Sequence, residues 1–242
     1  MIIILKLSGM KNKKSYIFDF FLNFCYNIYR KKERKENNIM SNFSVLVENE
    51  KKKARKENLI NVRKDIDKKW VLEKINNFIE NRDSDYTVQQ IIDQIMKNDL
   101  VAEMFAKDPS KQNISEKLCS LYLNWKLLPQ SGKQAVRFNT DGNIVATKTL
   151  GGGKCADFFI KNRYITQKYT GKNTGGAQDN QMDDVITFLI NASKKHKCGA
   201  CVDGWYWEEA GNKEKLKRMF ADNPNVIIFS ADEIKNGVIS LE

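Results

Sequence analysis

The chain has one histidine in 242 residues, His196. It stands in a lysine-rich stretch with no acidic partner in view, so a histidine nucleophile or general base has little support. A usable zinc motif is also missing. Cys198-Gly199-Ala200-Cys201 has C-x-x-C spacing, but a zinc site needs a second pair and only His196 lies near. The pair also enters a strand, whereas a thioredoxin-type site sits between a strand and a helix, so buried structural thiols are expected. The five cysteines are scattered at 25, 119, 155, 198 and 201. Their odd number, with no signal-peptide cleavage site, points to a reducing cytoplasm.

Long apolar runs are lacking as well. The stretch "SYIFDFFLNFCYNIY" at 15–29 carries Asp19 and falls short of the roughly 20 residues a membrane helix needs. No stable membrane partner is therefore expected. Gly151-Gly152-Gly153-Lys154 is not a phosphate-binding loop: the upstream glycine is absent, and the segment leads into a strand where a phosphate cradle needs a helix N-terminus. There is no internal repeat.

Positive charge is plentiful. The formal net charge is +11 and the pI about 9.3, which suits a polyanionic partner, most often nucleic acid. A lysine-rich coding bias in an AT-rich genome would give the same charge. Hydrophobic content of 41% and aromatic content of 10% are ordinary for a folded chain. Residues 1–40 hold nine Lys/Arg against three acids, so +6 of the charge lies there and +5 remains beyond. Met40-Ser41-Asn42-Phe43 reads like a fresh start, and 1–39 is expected to be an upstream over-call or a loose extension.

From 44 to 82 the texture is helical, with Leu59, Val62, Ile66, Trp70, Val71 and Phe78 three and four apart. Thr87 is placed to cap a helix through Val88, Ile91, Ile92 and Ile95. Another helical turn or two is expected over 100–105. Asn113-Ile114-Ser115-Glu116 has capping-box form, followed by an apolar stripe of Leu118, Leu121, Tyr122 and Trp125. A β-meander is expected next: 135–138, a turn at 139–143, 144–149, then 157–160 and 164–169 about a tight turn at 161–163. Past a polar loop through Gln181, Met182, Val185, Ile186, Leu189 and Ile190 predict an amphipathic helix. A short strand at 201–203, a helix over 213–220 and a buried strand at 225–229 complete the chain. The expected organisation is an extension at 1–39, a helical region at 40–110, and an α/β core at 111–242 with a mixed sheet flanked by helices.

One juxtaposition could carry chemistry. Asp157 opens one strand, and Gln167-Lys168 lies near the end of its hairpin partner, so the two can converge at one sheet edge. A hard cation such as Mg²⁺ takes oxygen ligands and keeps several waters, so one carboxylate, a carbonyl and a phosphate oxygen can suffice. The metal would lower the pKa of a bound water, and the lysine would orient that water or neutralise phosphate. An Asp opening a strand and a Lys within one are common, so spacing alone favours a solvated edge with a surface lysine.

The order helix, meander, helix, strand resembles the core of the PD-(D/E)xK nucleases. "ADFFIKN" followed by "ITQKYTGKNTGGAQ" resembles the strand pair and Gly/Ser-rich loop of type II restriction endonucleases. Val202-Asp203-Gly204-Trp205-Tyr206-Trp207 followed by Lys213-Glu214-Lys215-Leu216 resembles a "TDG-x-GW…L" strand-loop-helix in some enzymes that cut GATC. The resemblance runs from about Asn113 to the C-terminus. It implies a restriction-endonuclease-like core, Asp157 as a metal ligand and Lys168 as the motif lysine. The acidic motif position falls on Thr166, a departure. Gln167 is one place off and points to the other face in an ideal strand. Either a bulge brings Gln167 round, or Thr166 and a backbone carbonyl fill the site, or an acid comes from elsewhere, with Glu116 the candidate second ligand.

The expectation is a Mg²⁺-dependent, site-specific endonuclease of a restriction-modification system, acting on double-stranded DNA as a homodimer. Lys172, Asn173, Thr174, Gln178, Asn180 and Gln181 would contact phosphates or base edges, and Trp205 would stack on or wedge between bases. Core packing or a dimer contact serves the Trp205-Tyr206-Trp207 cluster equally well, and solvation serves Asp183 and Asp184. The alternative is a non-catalytic DNA-binding protein on the same fold, its acid lost at Thr166. A third idea, a membrane-tethered or zinc-stabilised adaptor, rests on 15–29 and the C-x-x-C pair.

Overall fold

Lys161 and Asn162 both take positive φ, 49° and 58°, the backbone a two-residue hairpin of matching twist requires. They join β3 (Phe158–Ile160) to β4 (Arg163–Tyr169) in an antiparallel ladder pairing Phe158 with Ile165. β5 (Lys197–Asp203) then pairs parallel to β4 over seven residues, and β6 (Val226–Phe229) pairs parallel to β5. The strand order β3-β4-β5-β6 makes a mixed sheet. These observations come from a computed structural model. It describes residues 41–82, 85–109, 112–145, 154–172 and 177–241, and of 177–179 the backbone alone. The expected extension at 1–39, with its apolar run at 15–29, lies outside the described residues, as do Gly151–Gly153 of the glycine loop.

A parallel pair needs a crossover, and α6 (Ala177–Ser193) supplies it between β4 and β5. Its Met182, Val185, Phe188, Leu189 and Ala192 pack with Cys198, Ala200 and Val202 of β5. On the other face, Phe158, Ile165, Tyr169, Cys201 and Phe229 are covered by Phe43 and Val47 of α1 (Asn42–Lys64), by Cys119 of α5 (Ile114–Leu123) and by Ala231 of α9 (Ala231–Lys235). β5 is buried at every residue but its first, as befits a central strand covered on both faces. The fold is thus mixed α/β, a mixed sheet flanked by helices, with a helical N-terminal region.

The described residues fall into two compact units. Met40–Lys56 clusters with Asp108–Glu242, and Glu57–Lys107 forms the other unit; the stretch expected as one helical region at 40–110 is divided between them. In the second unit, the end of α1, α2 (Lys69–Asn81), α3 (Val88–Lys97) and α4 (Asp99–Phe105) enclose Val62, Val71, Ile75, Ile91, Ile95, Val101 and Phe105. Thr87 and Gln90 form a reciprocal capping box at the start of α3. Lys74 Nζ donates to the Phe105 and Ala106 carbonyls at 2.9 and 2.7 Å, satisfying acceptors that the end of α4 leaves open.

Several expectations change. The four-strand meander is broken: β1 (Arg137–Phe138) and β2 (Ile144–Val145) form their own two-stranded ladder, and 146–149 lie outside the described residues. The reason is packing on α6. Asn191 Nδ2 donates to the Phe138 carbonyl at 3.4 Å, and at Gly142, φ +79°, a Cβ would meet Lys194 Cβ at 2.9 Å and the Asn191 carbonyl at 3.0 Å. Asn113 does precede α5, but in the left-handed region (φ 51°) and without a side-chain cap bond. Leu121 of the apolar stripe is 78% exposed, because α5 buries the face carrying Cys119. The loop expected through Gln181 is helix from Ala177. Two short helices go beyond the sequence pattern, α7 (Trp205–Glu208) and α9, the latter capped reciprocally by Ser230 and Glu233; between them α8 (Asn212–Met219) matches the helix expected over 213–220 to within a residue. Among the described residues, no helix is long and apolar enough to cross a membrane.

Candidate functional site

The site forms where β3 runs out beside β4. Asp157 N donates to the Ile165 carbonyl at 2.8 Å, the last backbone bond on that side. The next groups of β4 facing the gap, the Gln167 N–H and C=O, would be unsatisfied. Side chains take both. Asp157 Oδ2 accepts from Gln167 N at 2.6 Å and from Thr166 Oγ1 at 3.2 Å. Lys154 Nζ lies 3.2 Å from the same Oδ2 and also donates to the Gln167 carbonyl. Asp157 and Thr166 are both fully buried, and Asp157 Oδ1 is buried with no hydrogen-bond partner.

Burial pushes the Asp157 carboxyl above its usual range; the Lys154 ammonium and the Gln167 N–H pull it back, and the Glu116 charge adds to the rise. Lys168 Nζ pairs with Asp184 Oδ2 at 3.5 Å. Burial and then Lys154 push the Lys168 ammonium below its usual range, while Asp184 and Glu116 oppose them. One carboxylate, Glu116, is therefore felt at both Asp157 and Lys168. Glu116 itself accepts a hydrogen bond from the adjacent Ser115 Oγ at 3.0 Å.

These contacts choose among the routes open in the sequence. The β4–β5 register is unbroken from Arg163 to Tyr169, so no bulge turns Gln167. Its amide is fully buried and both its polar atoms lack partners. Gln167 therefore joins the site through its backbone, which corrects the expectation for its side chain. Thr166 meets Asp157 as a hydroxyl, through Oγ1. Two residues gain partners that spacing does not show: Lys154, in sequence only the end of a glycine loop, meets Asp157, and Asp184, in sequence a solvated acid, meets Lys168. A lysine three residues before a buried Asp was the available signal for the first.

The polar segment beyond β4 is only partly a surface. Thr170 Oγ1 accepts from Trp207 Nε1 at 3.0 Å and donates to Gln181 Oε1. Trp207 and Tyr206 are buried in the core, so of the aromatic cluster Trp205 alone is open to solvent, and only partly. Lys172 is exposed, with Nζ 5.8 Å from the Trp205 ring centre. Asn180 is exposed on α6. Asn173 and Thr174 lie outside the described residues, as does the Gln178 side chain.

Cys198 and Cys201 are buried free thiols. Three residues apart in one strand, they serve opposite cores, so their spacing makes no joint metal site. His196 packs beside Phe138 and Tyr164. Among the described residues no three His, Cys, Asp or Glu side chains cluster to hold a metal. A cation here would rest on Asp157 oxygens and the Gln167 carbonyl, an all-oxygen set suited to a hard divalent ion that keeps its waters. No protein-family model, curated protein or solved structure matches this chain.

Proposed function

We propose that this chain is a Mg²⁺-dependent, site-specific DNA endonuclease of the PD-(D/E)xK class, a type II restriction enzyme working in the cytoplasm on double-stranded DNA as a homodimer. One observation carries the reading: a buried carboxylate, Asp157, meets the backbone of Gln167 at the open end of a β-hairpin, with Lys168 the next residue along that strand. The sequence of an antiparallel hairpin, a crossover helix and two parallel strands supports the same core. Mg²⁺ bound there would supply Lewis acidity and an activated water. Asp157 would hold the ion, with Glu116 as the second acid. Lys168, its ammonium biased toward the neutral form, would orient water or steady charge on the phosphate. Lys172, Asn180 and Trp205 would meet DNA beside the site, together with Asn173, Thr174, Gln178 and Gln181 of the same segment.

A second reading, a DNA-binding protein without catalysis, is favoured by Thr166 in the acidic position and by Lys154 already neutralising Asp157. Unmethylated plasmid incubated with the full chain, with and without Mg²⁺ and beside Lys168→Ala, separates the two. Discrete Mg²⁺-dependent fragments that vanish in the variant support the nuclease. Salt-sensitive binding without cutting on several DNAs supports the second reading.

A further inference from the structure

The Lys154 ammonium touches the two oxygens a divalent ion would need, Asp157 Oδ2 at 3.2 Å and the Gln167 carbonyl. The Lys154 side chain is 14% exposed and Asp157 0%. We propose that these oxygens form a cation seat held by the Lys154 ammonium in the metal-free protein, and that a divalent ion enters by displacing it. The inference deepens the nuclease reading. It rests on that reading for what the ion is for, and on the contacts alone for how the ion enters.

Three facts support a seat that changes occupant. An ammonium is a compact cation on a flexible four-carbon stem, able to leave by rotation without moving the strand. It satisfies Asp157 only in part, since Oδ1 is buried and unpartnered, and an unmade bond there is costly. A divalent ion bound with its waters can engage both carboxylate oxygens, directly or through water, which one ammonium at Oδ2 does not. The structure also gives the seat an all-oxygen donor set, which a hard cation prefers to softer metals' nitrogen and sulfur. Lys154 is then an internal competitor that sets the concentration at which metal enters.

The test is Mn²⁺ binding to the full chain without DNA, read by the electron paramagnetic resonance of free Mn²⁺. Lys154→Met should bind one Mn²⁺ at least about tenfold more tightly than the unaltered protein, equal to about 1.4 kcal/mol, and adding Asp157→Asn should abolish that gain. Equal affinity in Lys154→Met, or a gain that survives Asp157→Asn, overturns the proposal. Because the variant can misfold, a second measurement uses the unaltered chain: acylation of Lys154 by an amine-reactive ester, followed by mass spectrometry. Mn²⁺ should speed labelling at Lys154, and an unchanged rate counts against displacement. Mn²⁺ displacing Lys154 without any DNA cutting leaves this inference standing and removes the nuclease reading. Metal-dependent cutting with unchanged affinity in Lys154→Met does the reverse.

Discussion

Gln167 and Asp157 are joined through the backbone of one and the carboxylate of the other, N–H to Oδ2 at 2.6 Å. The carboxylate thus finishes a sheet edge, taking a backbone donor that no neighbouring strand reaches. Asp157→Ala should leave the Gln167 N–H without its acceptor and the Lys154 ammonium without its counter-charge, bonded only to the Gln167 carbonyl. A buried pair broken on one side costs about 3 kcal/mol, measurable as a lower urea midpoint at unchanged slope. Asp157→Asn keeps an acceptor for Gln167 N and should lose less. A midpoint shift no larger for Ala than for Asn would mean the edge is closed by something else.

Lys168 and Asp184 should behave differently, because their contact is long and Asp184 is 53% exposed. Partly exposed pairs contribute little, about 0–1 kcal/mol. Lys168→Ala is therefore expected to unfold near the unaltered protein in a thermal melt. If the proposed function holds, plasmid cleavage should fall by about 100-fold or more, the scale of losing one preorganised charge. Stability lost together with activity would recast Lys168 as structural.

Asp203 gives a pH dependence. Burial drives its carboxyl from the ordinary 3.8 up to about 8, with the Ala231 N–H opposing and Glu208 adding. Between those values the folded chain holds a proton that the unfolded chain has lost. Stability contributed by this group must fall as pH rises through that window and level off above about 8. Asp203→Asn preserves an acceptor for the Ala231 N–H, now bonded at 2.9 Å. Unfolding free energies from pH 5 to 8 should decline less steeply in the variant; parallel curves would place the titration elsewhere.

Gly204 and Trp207 test whether the VDGWYW segment is core. At Gly204, φ +97°, a Cβ would lie 2.6 Å from the Thr170 carbonyl oxygen, so Gly204→Ala should cost about 2 kcal/mol through strain and collision. Trp207→Phe removes the donor to Thr170 Oγ1 and should cost about 1–3 kcal/mol. Denaturant unfolding measures both. Loss of DNA binding in Trp207→Phe with unchanged stability would place that ring at the DNA surface and not in the core.

Much of the framework was legible in local pattern. Period-two and three-to-four spacings located the β3–β4 hairpin, α6, β6 and the helices after Thr87, since each signal is carried by neighbours a few residues apart. Terminal turns were less legible. The polar run through Gln181 looks like loop by composition, yet helix begins at Ala177, because packing of Met182 and Val185 secures the turn before them. Asn113 shows the converse, a cap signature whose side chain is unused because its backbone is left-handed.

By itself the sequence determined the alternation of elements, the hairpin about Lys161 and Asn162, and Asp157 at the mouth of one strand with Lys168 along the next. Those follow from backbone preference and side-chain period, which are local. The tertiary structure decided that the meander divides, that Trp207 is interior, that Gln167 contributes its backbone and that Lys154 meets Asp157. Each depends on where a strand stops relative to its neighbour. A backbone group left open at that point must find a partner, and the partner it finds is set by the packed sheet, beyond the reach of spacing along the chain.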